Sequence, residues 1–207
     1  MTYTVLQFMQ TDLYLFLKRF LLINPVDDDV PVYRTKNINT SSGLAFLKTL
    51  KPDVILLANF NQKVSCEVIA IPALSCLNIH PSILPKYKGV DPVFAALFEN
   101  ERTLGVTVHL VDENFDTGTI LGQSVLSVEN NASVFKHQVE LFRIGGKLAV
   151  DMIKRLVSGD LKYSKNAEGN YDSWPAKTKI KLFNKRGGRL LRLTEYWAVL
   201  KEELTNR

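Results

Sequence analysis

The chain has 207 residues, of which 46% are hydrophobic and 23% charged, with a net charge of +5. That composition suits a globular protein with a sizeable core and argues against a disordered or fibrous chain. No run is long and apolar enough to span a bilayer: Leu13 to Ile23 is short and interrupted by Lys18 and Arg19. It also lacks the basic flank and small-residue cleavage site of a signal peptide, so a cytoplasmic location is expected. Cys66 and Cys76 show no metal spacing and no disulfide framework, and both read as buried free thiols.

Thr4 to Phe8 reads as a first strand, followed by a helix capped at Thr11-Asp12 and running to about Ile23. Val30 to Tyr33 reads as a short strand. Thr40, Ser41 or Ser42 can cap a helix from Leu44 to Leu50, which Lys51-Pro52-Asp53 breaks. Val54 to Ala58 is a continuous apolar strand, the mark of a sheet covered on both faces. Val64 to Ile71 is a short helix or turn, and Cys76 to His80 another strand. A helix from Val93 to Glu99 follows Asp91-Pro92. Leu104 to Val111 and Ile120 to Val128 are strands. Ser133 to Leu156 is a long helix, capped by Asn130 or Asn131 and ended by Gly159; Gly145-Gly146 inside it marks close packing or a kink. Strands alternating with helices predict a three-layer α/β fold with a mostly parallel sheet and helices on both faces.

The tail differs. Asn166 to Asp172 is polar and turn-rich, and Trp174 is expected to pack the tail onto the body. Lys177, Lys179, Lys181, Lys185, Arg186, Arg189 and Arg192 form a basic run, read as a solvated face. The expected division is a catalytic domain over 1–162 and a short basic extension, packed on it, over 163–207.

The chemistry concentrates in Leu77-Asn78-Ile79-His80-Pro81-Ser82-Ile83-Leu84-Pro85-Lys86-Tyr87-Lys88-Gly89. On a strand, residues two apart share a face. Asn78 and His80 therefore project together at the carboxyl end of a buried strand, where open α/β sheets bind ligands. Asn can donate to a developing oxyanion, and His can move a proton near neutral pH. Asp116, in the loop before Thr117-Gly118, is placed to orient His80 or a water. Ser82 reads as a turn-closing residue, His109 as a partner behind the site or a core histidine, and the peptide before Pro85 as a candidate cis bond.

The ordered pattern Asn-x-His-x-Ser-x-Leu-Pro-x-Tyr-x-Gly, Gly-x-x-Val-His and Asp-x-Gly-x-Ile resembles the formyltransferase family that uses 10-formyltetrahydrofolate. The resemblance covers roughly Pro52 to Leu156 and places Asn78, His80 and Asp116 on the three catalytic positions. It implies a Rossmann-like formyltransferase fold. It also implies a folate pocket walled by the loop Ala58 to Val64, with Phe60, Gln62, Lys63 and Val64, and by the loop carrying Asp112, Phe115, Asp116, Thr117 and Gly118. The implied reaction is attack by an acceptor amine on the formyl carbon, with no metal.

Two departures bear on the acceptor. The turn after the first strand, Met9-Gln10-Thr11-Asp12, has no glycine and would receive a phosphate poorly. Leu22 to Val30 is too short for the usual crossover, so the N-terminal half is shortened. The expected acceptor is a small amine, an amino sugar on a nucleotide carrier. Alternatives are activity like that of methionyl-tRNA formyltransferase, hydrolysis of formyltetrahydrofolate, or a non-catalytic folate-binding remnant. A homodimer is allowed and no membrane partner is expected. Nucleic-acid binding is disfavoured because the basic tail lacks stacking aromatics.

Overall fold

In the computed structural model, the described residues are 35–60 and 62–205. The strand, helix, turn and shortened crossover expected between residues 1 and 34 lie outside them.

Helix α1 (Ser41–Leu50) starts where Thr40 accepts a hydrogen bond from the Gly43 amide, and ends at Lys51 in the left-handed region. It feeds β1 (Val54–Ala58), whose side chains alternate between two cores. A single-turn helix, α2 (Cys66–Ile69), leads to β2 (Ser75–His80), which pairs parallel to β1. After β3 (Lys88–Gly89) and α3 (Pro92–Phe98), strands β4 (Thr103–Leu110) and β5 (Ile120–Ser127) complete a four-stranded sheet of order β1-β2-β4-β5. The β2–β4 and β4–β5 pairings are antiparallel. The connection from Leu110 to Ile120 explains the second of these: a parallel return needs a crossover of a dozen or more residues. The described part of the sheet is thus mixed, with its parallel pairing on the N-terminal side.

Helices cover both faces. Ile55, Leu57 and Cys76 pack with Leu47 of α1 and Val68 of α2. Leu77, Ile79, Val106 and Val108 face Leu141, Ala149 and Met152 of α4 (Val134–Ser158). Full burial of one such Leu is worth roughly 1.5–3 kcal/mol. Gly145 decides how close α4 comes: a Cβ there would lie 2.5 Å from Ile79 and 2.8 Å from Val106, whereas one at Gly146 would meet nothing. Gly145 is therefore a close-packing residue. The cap of α4 is Ser133, which accepts from the Lys136 amide, and neither Asn130 nor Asn131. Asn131 is left-handed, with φ of 64°, and is spent on the turn before the helix.

Beyond α4 the chain crosses back over the body. β6 (Tyr171–Asp172) pairs with β3. Helix α5 (Lys177–Lys185) buries Phe183 against Phe94, ring centroids 5.1 Å apart, and leaves its lysines in solvent as expected. Glu195 of α6 (Leu193–Thr205) binds both the amide and the hydroxyl of Ser133. Two expectations fail on exposure. Cys76 is buried, but Cys66 is exposed, because it opens α2 at the surface. Trp174 is 60% exposed, and Phe183 fastens this part of the tail instead.

No described helix is long and apolar enough to cross a membrane.

Candidate active site

Strand alternation in β2 puts Leu77 and Ile79 under α4 and turns Cys76, Asn78 and His80 to the other face. The strand then enters a loop closed by Ser82, whose hydroxyl donates to the Lys86 carbonyl. Thr107, fully buried on β4, holds this loop from beneath: its hydroxyl donates to the Ser82 carbonyl at 2.7 Å and accepts from the Leu84 amide. The Leu84-Pro85 peptide is cis.

Asp116 comes from the β4–β5 loop in the left-handed region, with φ of 53°. Its carboxylate meets both predicted partners. Oδ1 lies 3.3 Å from His80 Nδ1 and accepts from Asn78 Nδ2 at 3.4 Å. Oδ2 accepts from the Gly89 amide at 2.9 Å. His80 and Asp116 are 4% and 9% exposed, while Asn78 is half-buried. Residues from 78 to 116 in sequence thus converge on a single carboxylate.

His109 joins them. It stands directly across the β2–β4 ladder from Asn78, and its Nε2 is 3.2 Å from Asn78 Nδ2. Its Nδ1 is 2.7 Å from the Leu110 carbonyl, an obligate acceptor, so Nδ1 carries a proton. Nε2 thus sits between the Asn78 carboxamide and Asp116 Oδ1, the latter 3.6 Å away. The pattern Gly-x-x-Val-His marked this residue but not that placement.

His80 sits between two acceptors. Its Nε2 is 2.9 Å from the Tyr87 carbonyl, and its Nδ1 faces Asp116. Each neutral tautomer satisfies one of them, and the imidazolium satisfies both. Burial pushes the imidazole below its ordinary value, opposed by Asp116 and the Tyr87 carbonyl. Burial raises the Asp116 carboxyl, but His109, His80 and the Gly89 amide outweigh it and hold the group below the usual range.

Both folded-state values lie below the unfolded ones. The stability His80 contributes is therefore fully present above its unfolded value near ~6.5 and is lost as pH falls through the depressed folded value; Asp116 behaves alike, starting from near ~3.9. Thermal melts across a pH series should show the melting temperature dropping below about pH 6.5. His80→Gln, which cannot titrate, should flatten that first drop.

The residues expected to hold a donor are placed unevenly. Val64 is 6% exposed within the core and leaves only its backbone to a ligand, and Phe60 packs partly against the same cluster. Gln62 donates to the Lys36 carbonyl, while its buried Oε1 has no hydrogen-bond partner among the described residues. Lys63 is exposed, and its carbonyl accepts from Asn39. On the facing loop, Asp112 accepts from Thr117 Oγ1 at 2.6 Å, which shapes the turn. Phe115 is 43% exposed and lies 6.2 Å from the Tyr171 ring. Gly118 is there for space: a Cβ would fall 1.7 Å from the Leu110 carbonyl. Cys66, which opens α2 just after the first loop, donates its Sγ to Glu113 of the facing loop at 3.2 Å. Among the described residues, no group of His, Cys, Asp or Glu is arranged to hold a metal.

A family model described as "Formyl transferase" matches residues 23–148. The methionyl-tRNA formyltransferase of Kosmotoga olearia is 32% identical over 133 residues, covering 64% of this chain and 43% of that protein. The enzyme of the same name from Chloroflexus aurantiacus is 33% identical over 162 residues, covering 78% of this chain and 50% of the relative. This chain spans about half the length of the curated relatives it matches. Among solved structures, the formyltransferase PseJ of Anoxybacillus kamchatkensis superposes with a TM-score of 0.62 at 24% identity, covering 88% of this chain and 90% of that one. It was crystallised with UDP-4,6-dideoxy-4-formamido-L-AltNAc and tetrahydrofolate. The matched model spans well over half the chain and includes Asn78, His80 and Asp116, and the chain belongs to the formyl transferase family.

Proposed function

We propose that this protein moves a formyl group from 10-formyltetrahydrofolate to the amine of a small acceptor, an amino sugar carried on a nucleotide. The observation that carries the reading is the meeting of Asn78, His80 and Asp116 on one carboxylate. The acceptor nitrogen attacks the formyl carbon, and the carbonyl oxygen takes the negative charge. Asn78 stabilises that oxyanion with the hydrogen now spent on its long 3.4 Å contact to Asp116. His80 accepts the proton lost by the attacking nitrogen, and the resulting imidazolium is held by both Asp116 and the Tyr87 carbonyl. Collapse breaks the bond to the folate nitrogen, which takes the proton back from the His80 imidazolium and leaves as tetrahydrofolate. The Phe60 to Val64 loop and the Asp112 to Gly118 loop are the proposed donor walls, largely through backbone groups.

The acceptor class rests on the near-complete overlap with a structure holding an amino-sugar nucleotide. Methionyl-tRNA is the second reading, favoured by the names of the curated relatives.

Tetrahydrofolate release from 10-formyltetrahydrofolate decides between them, with a panel of amino-sugar nucleotides, methionyl-tRNA and water as acceptors. Turnover by an amino-sugar nucleotide well above the water rate is expected. Consumption by water alone through His80 would make the protein a hydrolase. The donor site has its own test. Cys66 is the exposed cysteine and touches the facing wall, while burial pushes the Cys76 thiol up to about 12. 5-Formyltetrahydrofolate should slow alkylation of Cys66, and an unchanged rate at millimolar ligand would remove these loops as the donor walls.

A further inference from the structure

Residues 164–172 form a strap that crosses both halves of the His80–Asp116 pair. Ser164 makes a two-way backbone bridge to Ile120, at 3.0 and 2.9 Å. Asn166 Nδ2 then donates to the carbonyl of Asp116 at 2.9 Å and to that of Gly118 at 3.1 Å. Lys88, 6% exposed, sends its ammonium to the Ala167 carbonyl at 3.0 Å. A Cβ at Gly169 would lie 1.9 Å from the Pro85 carbonyl, so the strap runs against the His80 loop with no room to spare. Asn170 accepts from the Tyr87 amide at 3.1 Å, on the residue whose carbonyl orients His80.

Asp116 needs this support. A non-glycine residue in the left-handed region is held there only when its surroundings over-determine it. Its side chain spends its bonds on His80, Asn78 and Gly89, so nothing on the side chain fixes its own backbone. The clamp is the Asn166 carboxamide, which ties the carbonyls on both sides of Thr117. Among the described residues the buried Asn166 Oδ1 has no hydrogen-bond partner, so the side chain accepts a polar cost to stay there.

We propose that Asn166 is a positioning residue of the active site: it holds the backbone of Asp116 so that the carboxylate meets His80 and Asn78. The assignment rests on the formyl-transfer reading for its consequence, but not for its detection. The chain has three histidines, so imidazole signals can be assigned one by one by NMR. In Asn166→Ala, the titration of His80 should move down, since Asp116 is what raises it against burial. The ring chemical shifts of His137, whose ring bonds to Ser133 and Glu129, should stay in place. With 10-formyltetrahydrofolate as donor, kcat should fall on the order of 10²-fold, as for a misplaced catalytic group, a larger factor than any rise in the KM for the donor, whose proposed wall includes the clamped loop. Asn166→Asp should do more damage than Asn166→Ala, because it sets carboxylate oxygens against two carbonyl oxygens; Asn166→Ser replaces the alanine variant if that one does not fold. A lowered melting temperature with the His80 titration unmoved would overturn the proposal and leave Asn166 a structural clamp. If neither wild type nor variants turn over the donor while the His80 titration moves, the positioning role stands and the formyl-transfer reading falls.

Discussion

Asn78→Ala is expected to cost about 10²–10³ in turnover, the usual cost of removing one oxyanion donor. The structure adds a second consequence. The Asn78 amide donates to Asp116 Oδ1 and lies 3.2 Å from His109 Nε2, on residues 9% and 2% exposed. Deleting it takes one partner from each buried group while Asp116 Oδ1 keeps His80, a loss at the lower end of ~1–3 kcal/mol. A domain stable by roughly 5–15 kcal/mol stays folded after that loss. Chemical denaturation should therefore show a moderately destabilised but cooperative protein, and tetrahydrofolate release should show a nearly dead one. Asp116→Asn should resemble it in turnover, since the size remains and the charge that holds the His80 proton goes. A loss of less than tenfold in the alanine variant would take Asn78 out of the reaction.

Gly118→Ala should be worse for the fold than any change at the reacting groups, although it adds one methyl. The new Cβ would lie 1.7 Å from the Leu110 carbonyl, a backbone atom at the end of β4 that cannot rotate away. The same carbonyl accepts the His109 Nδ1 proton, and His109 Nε2 in turn lies 3.2 Å from Asn78 Nδ2. The Gly118 carbonyl is also one of the two that Asn166 clamps. Relief of the clash must therefore move the Asp116 loop, the His109 ring, or both. Overpacking typically costs ~1–3 kcal/mol, and a rigid partner places this case at the upper end. The expected result is a clear fall in melting temperature together with a loss of turnover exceeding what the unfolded fraction explains. An alanine variant with wild-type melting and wild-type turnover would show that the β4–β5 loop tolerates a different path.

The sequence by itself determined the local elements and singled out Asn78, His80 and Asp116 as the candidate trio. Alternation in Cys76 to His80 put Asn78 and His80 on one face, the apolar run Val54 to Ala58 read as a strand covered on both sides, and Pro, Gly and hydroxyl residues marked most helix ends. These depend on contacts within a few residues, where periodicity and capping chemistry act. Of what lies far apart in sequence it offered little beyond Asp116 as a partner for His80 and His109 as a residue behind the site. The left-handed turn at Asp116, the reach of Asn166 across 50 residues and the Asn78–His109 pairing follow from the antiparallel return of β4 and the strap after α4. Backbone groups carry much of that architecture, including the Gly89 amide and the Tyr87 and Leu110 carbonyls, and every residue type offers a carbonyl, so no side-chain pattern announces them. The exposures of Cys66 and Trp174 belong to the same class. An apolar residue is buried only if another element arrives to cover it, and which element arrives was decided by tertiary packing, with Phe183 taking the place that composition alone offered equally to Trp174.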